Sequence, residues 1–506
     1  MTKKLLIILS LIIISFTSLD SQVKKKLRFA ADTESGAPYV FQDPENPAKL
    51  TGFEYDIILA ICQDLGYEPE FVQNQWDGLV PGLSRDDYDV AINGIEITND
   101  RKRVVDFSEP YYITYEQLVV RKNQNDVTTL DDLRGKKVGT LKNSLAEKIL
   151  QTHGGIIIKS YESEANSYKD LELERLEAVL IDQPVALYYA GWNPQLKLVG
   201  QPIGQVVYGI AIKKGREELL ENINNAIANL YSSGKLREIL ESYKMWNYAI
   251  ALYTKDSKDQ NEVNVPPKNY EKFIKSQSKD LTYKDYLDRY ISFLPLFGEA
   301  AIVTMEISLL SMIVAIILGL FVALVRVYAP RPFSILAITY IEIIRGTPLL
   351  IQLFFIYYAL PSFGLKISPY FAAVIGLGMN YAAYEAENYR AGLFAVSRGQ
   401  MEAAISLGMT RNQALRHIII PQAIRLVIPP VTNDFISLLK DSSLVSVITM
   451  VELTKLYNQL SNTYFDYIGT GIIVAVIYLL LGFPFVRLSQ YVEKKFSFDK
   501  RETEIK

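Results

Sequence analysis

The chain has 506 residues, a net charge of −3, one cysteine and two histidines. That length holds more than one domain, and the small charge offers no basic field for nucleic acid. Cys62 alone excludes an internal disulfide, and with only His153 and His417 beside it neither zinc sites nor histidine-based catalysis have their usual groups. No cofactor is implied. No G-x-x-x-x-G-K-S/T phosphate loop occurs, so any ATP must be bound by another chain.

The first 22 residues place Lys3 and Lys4 before an apolar run from Leu5 to Phe16. That run is short for a membrane span and fits a secretory signal, with an uncleaved anchor as the alternative. Either way the following segment is exported. Residues 23–247 alternate β-like runs such as "KLRFA", "KKVGTL", "AVLID" and "VVYGIAIKK" with amphipathic stretches at Glu54–Leu65 and Glu217–Tyr243, which predicts an α/β domain. Residues 248–295 read as a linker, built around the polar, structureless "TKDSKDQNEVNVPPKNYEKFIKSQSKD".

From 296 to 490 five apolar segments follow, at roughly 297–325, 333–360, 369–393, 424–450 and 467–488, which predicts an all-α transmembrane domain of about five spans. The chain is thus multidomain: α/β, then membrane-embedded α. Arg326 and Arg331 follow the first segment and Arg398, Arg411 and Arg416 follow the third. The 491–506 tail carries five more cations, whereas the alternate loops hold one lysine each. The positive-inside rule places the loop after the third segment and the tail in the cytoplasm. An odd number of spans then starts the first one outside, where the exported domain ends.

That cytoplasmic loop reads "EAAISLGMTRNQALRHIIIP": Glu402-Ala403-Ala404, then Gly408, then Ile418–Ile420 closed by Pro421. It resembles the EAA loop of the membrane subunits of ABC importers. The resemblance implies a short helix docked in a groove of a separate cytoplasmic ATPase dimer. Ala403, Ala404 and Gly408 would make a smooth face for close approach, and Glu402 would pair across the interface. "YIEIIRGTPLLIQLFFIYYALP" and "ISLLKDSSLVSVI" resemble the polar amino-acid permeases of that family, which implies a homodimer around one path. In the third segment Glu387 and Arg390 share a helix face. They contact substrate, or they form a pair near the cytoplasmic end that satisfies itself; the second reading is favoured for Arg390.

"WDGLVPGLSRDDYDVAINGIEITNDRKRVVDFSEPYY", with "LTGFEYDIILAICQDLG" and "AVLIDQPVALYYA", resembles the type II solute-binding proteins for polar amino acids. The resemblance implies two α/β lobes joined by hinge strands at "YEQLVVRK" and "YGIAIKKG", with lobe two at about 120–205. It implies that Arg101 binds the ligand carboxylate and Asp182 the ammonium. Gly94 offers its carbonyl, Glu96 lies near the ammonium, and Trp76 and Tyr39 flank the ligand. Ser144 supplies a hydroxyl and an N–H in a turn where Asn143 replaces the family's glycine, and Glu34 is a further candidate acid. Thr98 as N-cap would add free helix N–H groups beside Arg101.

Together these features predict the receptor and permease of an ATP-driven amino-acid importer in one chain, not an enzyme, with ATP hydrolysed by its partner. A ligand-gated channel would place its spans inside the binding domain, and an enzyme on this fold lacks a histidine, cysteine or metal set near the cleft. Whether the ligand is a neutral polar or a basic amino acid stays open.

Overall fold

In the computed structural model, which describes residues 25–34, 36–256, 265–277 and 282–496, the apolar runs of the first half form two separate five-stranded sheets. The expected signal or anchor, 1–22, lies outside the described residues, as does the end of the tail. Lobe one orders its strands Glu68–Gln73, Lys26–Ala31, Val90–Ala91, Ala211–Lys213 and Val105–Phe107. Its central run, Lys26–Ala31, pairs in parallel on both sides and buries Leu27, Phe29, Ala30 and Ala31. Lobe two orders Leu196–Tyr208, Tyr112–Arg121, Ala178–Asp182, Lys137–Leu141 and Ile157–Tyr161.

The chain passes from lobe one to lobe two between Phe107 and Tyr112 and returns between Tyr208 and Ala211. The first crossing lies before the expected hinge "YEQLVVRK", of which all but the final Lys122 lies in the lobe-two strand Tyr112–Arg121. The expected helix at 217–243 is two helices, Glu217–Ser232 and Lys235–Ser242, because Gly234 takes a left-handed φ of 73°.

The linker is not structureless where it is described. Lys268–Gln277 is a helix that begins after Pro266 and Pro267. Phe273 is buried in the core of the two-lobed domain, with Tyr270 and Ile274 packed beside it, and Lys272 pairs with Asp43 at 2.7 Å and Glu45 at 3.1 Å. These apolar residues recur at i, i+3 and i+4, the spacing of one helix face. This part of the connection is therefore a docked strap.

Among the described residues, three helices are long and apolar enough to cross a membrane by length and composition: Tyr283–Tyr328, Arg411–Ile448 and Tyr467–Val492. A fourth results if Arg331–Gly346 and Leu349–Phe363, bent by 108°, form one broken span. Five were expected, and two local causes explain the difference. The second segment breaks because Pro348 lacks an amide hydrogen and pushes Thr347 to extended φ −118°, ψ 145°. The third, Pro369–Ala395, is a 27-residue helix, but its apolarity is diluted by Glu385, Glu387 and Arg390, and it buries small residues against its neighbours. Gly319 permits that approach: a Cβ there would lie 2.9 Å from the Ala382 carbonyl oxygen.

Candidate ligand-binding site

The cleft between the lobes is built from turns at the ends of buried strands. Gly94 follows strand Val90–Ala91 and takes φ 64°; a Cβ there would sit 3.0 Å from the Tyr39 ring, which packs directly over it. Its N–H donates to Glu54 Oε1 at 2.7 Å, and the Tyr111 hydroxyl donates to the same oxygen at 2.5 Å. Burial pushes the Glu54 carboxyl up to about 8, against the pull of these two bonds. Glu54, which the sequence marks only as the start of an amphipathic stretch, thus holds the glycine turn from below.

Trp76 opens a 3-10 turn, Trp76–Gly78, before helix Leu79–Arg85. Its backbone N–H donates to Asp32 Oδ2 at 2.9 Å, and its indole N–H crosses the cleft to the Lys142 carbonyl at 3.0 Å. Thr98 does cap the next helix, accepting from the Arg101 N–H at 3.3 Å, but that helix spans only Asn99–Lys102. One turn has almost no macrodipole, so the helix end adds little beside the Arg101 guanidinium. That guanidinium lies 5.3 Å from the Trp76 ring centroid, pairs with the Glu96 carboxylate, and donates to the Asn143 carbonyl at 3.1 Å across the cleft.

From lobe two, strand Ala178–Asp182 ends with Asp182 aimed inward, and Pro184 starts the next helix, Gln183–Tyr189. Asp182 accepts from the Tyr39 hydroxyl at 3.0 Å and from Tyr208. Burial first, and the Glu96 charge second, push its carboxyl up to about 6. Glu116 is fully buried behind it, and burial with the neighbouring Asp182 pushes Glu116 well above the usual carboxylate range. Ser144 caps helix Leu145–His153 by accepting from Glu147 N–H at 3.2 Å, and Asn143 takes the left-handed φ of 58° that asparagine tolerates. Leu145 N–H donates to Glu96 Oε1 at 3.0 Å, a fourth bond across the cleft.

Tyr39, Trp76, Gly94, Glu96, Ser144 and Asp182 line one cavity of about 10 Å³. Arg101 stands at its rim through Glu96. Glu164, 2 % exposed at the start of helix Glu164–Glu172, lines it too and was not foreseen. Glu54, Glu116 and Glu164 were illegible because buried acids read as ordinary surface acids until their partners are known. Glu34 lies away from this cavity, against the membrane half.

In that half, Glu387 is clamped by two arginines: Arg326, and Arg390 through bonds of 3.0 and 2.9 Å. Arg326 as partner was not foreseen. The 402–421 segment folds as helix Arg398–Ser406, a turn at Gly408 with φ 86°, and a second start at Thr410, whose capping box with Gln413 leads into the next long helix. Glu402, Ala403 and Gly408 are exposed, whereas Ala404 is buried within the segment itself. Leu407 is 82 % exposed at the turn.

Residues 27–245 match the family described as bacterial extracellular solute-binding proteins, family 3, and residues 315–498 match the binding-protein-dependent transport system inner membrane component. The L-cystine-binding protein TcyJ of Escherichia coli (strain K12) is 35% identical over 209 residues, 41% of this chain and 78% of that protein. The L-cystine transport system permease protein TcyB of Bacillus subtilis (strain 168) is 38% identical over 205 residues, 40% of this chain and 88% of that protein. Among solved structures, an ancestral arginine-binding protein bound to glutamine is 35% identical over 44% of this chain and 99% of its own, with a TM-score of 0.42.

Proposed function

The chain belongs to the binding-protein-dependent importers, as a family 3 solute-binding domain fused to an inner-membrane permease domain, and from that premise we propose that it captures a polar amino acid outside the cell and passes it through a homodimeric pathway driven by a separate ATPase dimer. The observation that carries the binding step is the placement of Arg101 and Asp182 on opposite lobes of one cleft, beside Trp76 and Tyr39. The ligand carboxylate takes the place of Glu96 at the guanidinium, with a fork-to-fork geometry available. The ammonium goes to Asp182, with Glu96 released nearby as a second acid. The ligand then ties the lobes together, and its binding energy favours closure.

The cleft carries more acids than cations, and this suits a ligand with more than one ammonium group. L-cystine is such a ligand and is named by relatives of both halves. The cation-rich loops support a cytoplasmic position for helix Arg398–Ser406 and the tail. ATP binding in the partner then acts through Glu402, Ala403 and the Gly408 turn. Glu387 and Arg390 form a structural clamp with Arg326.

Equilibrium binding of radiolabelled L-cystine, L-glutamine and L-arginine to the purified chain tests the reading. One of them binds without being chemically altered; binding of none would overturn it. The pH profile follows from Asp182. Its carboxyl must be ionised to hold an ammonium, and burial raises its pKa to about 6. Protonation therefore competes with the ligand below that value, and the apparent Kd rises about tenfold per pH unit between roughly 6 and 4. A flat profile from pH 7 to pH 5 would remove Asp182 from the ammonium site.

A further inference from the structure

The helix Leu453–Tyr464, between the last two long helices, lies against the receptor at the seam of its two lobes. Near its start, Lys455 is 0 % exposed and places Nζ 3.1 Å from Glu34 Oε2 of lobe one. Near its end, Asn462 Nδ2 donates to Ser163 Oγ of lobe two at 3.0 Å and reaches the Glu34 carbonyl of lobe one at 3.5 Å. One side chain therefore touches both lobes. Next to it, Phe465 is held at φ 53°, a region a bulky residue adopts only when its surroundings impose it, with its ring between Tyr189 and Trp192 of lobe two.

Both ends of this contact connect to residues that line the cleft. Glu34 N–H donates to Asp32 Oδ1 at 3.0 Å, and Asp32 Oδ2 accepts from the Trp76 N–H at 2.9 Å. Ser163 immediately precedes Glu164, which lines the cavity. Lobe one has a second mooring on the permease: Lys366 pairs with Asp86 at 3.0 Å, and the Arg85 guanidinium lies 4.8 Å from the Tyr357 ring centroid. The end of helix Leu453–Tyr464 also bonds lobe one, Thr463 to the Gln42 side chain at 3.1 Å and Tyr464 to the Asp43 carbonyl at 3.2 Å, so lobe one is moored at several points, whereas Asn462 and Phe465 meet lobe two beside the seam.

We propose that Lys455 and Asn462 are positioning residues of the transport cycle: Lys455 fixes lobe one through Glu34, and Asn462 bonds lobe two only when the lobes are closed, so that the permease holds the closed receptor in preference to the open one. A buried charge pair is costly to form and costlier to split, which makes Lys455–Glu34 an all-or-none contact. Movement of this helix during the permease cycle withdraws Asn462 from Ser163 and frees lobe two to open. The proposal rests on the amino-acid receptor reading above.

Linkage makes it testable without the ATPase. If docking favours closure, docking also strengthens ligand binding by the same factor. In full-length chain in nanodiscs, Lys455→Met and Asn462→Ala each weaken binding of the tritiated amino acid, chosen from L-cystine, L-glutamine and L-arginine, by about 5- to 100-fold. The double exchange Glu34→Lys with Lys455→Glu restores it. Asn462→Ala removes no charge and carries the test if Lys455→Met does not fold. Unchanged affinity in the single variants overturns the proposal, and a double exchange as weak as Lys455→Met overturns the part assigned to the charge pair. If the unsubstituted chain binds none of the three, the receptor reading itself fails and this proposal falls with it.

Discussion

Arg101→Ala raises the amino-acid Kd by about 30-fold to several thousand-fold, the equivalent of roughly 2–5 kcal/mol for truncating one partner of a buried charge pair. The ligand carboxylate loses its forked donor, and Glu96, whose side chain is only 3% exposed, stays in the cleft as an acid facing that carboxylate with no guanidinium between them. The change also removes the cation over the Trp76 ring and the bond to the Asn143 carbonyl, so closure itself is weakened. Arg101→Lys keeps the charge but not the planar fork, and recovers only part of the affinity. Equilibrium dialysis with the radiolabelled ligand checks both. An unchanged Kd in Arg101→Ala would remove this residue from the carboxylate site.

Glu402→Lys leaves ligand binding as it is and lowers uptake by roughly a hundredfold, because like charges brought together across an interface cost several kcal/mol. The residue is exposed on helix Arg398–Ser406, within a segment that also carries Arg411 and Arg416. Beside it, Leu407 stands 82% exposed at the Gly408 turn, an apolar knob of the kind that fills a partner's pocket. Gly408 at φ 86° lets the chain reverse there without strain, so the knob and the acid are presented on one short corner. Uptake by cells that carry the cognate ATPase, measured beside binding to the purified variant, separates the two effects. Normal uptake would end the coupling role.

The receptor was largely legible because its strands are short apolar runs with turn residues at their ends. Lys26–Ala31 and Ala178–Asp182 stand where "KLRFA" and "AVLID" predicted them. Two membrane segments depart from plain unbroken apolar spans for local reasons. Pro348 bends the second, and the ionisable residues of Pro369–Ala395 dilute the third. The strap Lys268–Gln277 escaped because its three apolar residues sit among lysines and serine, and only contact with the receptor core gives that stripe a purpose. Within the cleft, residues at the ends of strands could be named, but their supports could not. Glu54 meets Tyr111 across 57 positions, and Tyr39 meets Asp182 across 143. Such pairings depend on how the lobes fold over each other, and no local spacing encodes them. Lys455 and Glu34, from opposite halves of the chain, are the extreme case.

A receptor outside the cell and a coupling corner inside it, on one polypeptide, is the claim on which the rest depends. Paired thiol labelling tests it most directly, with Lys159→Cys on the receptor and Asn412→Cys after the Gly408 turn, both at exposed positions. The native Cys62 stays silent, since it is buried and burial pushes its thiol up to about 11. In intact cells a membrane-impermeant maleimide is expected to label position 159 and to reach position 412 only after permeabilisation. Labelling of position 412 in intact cells would contradict the account.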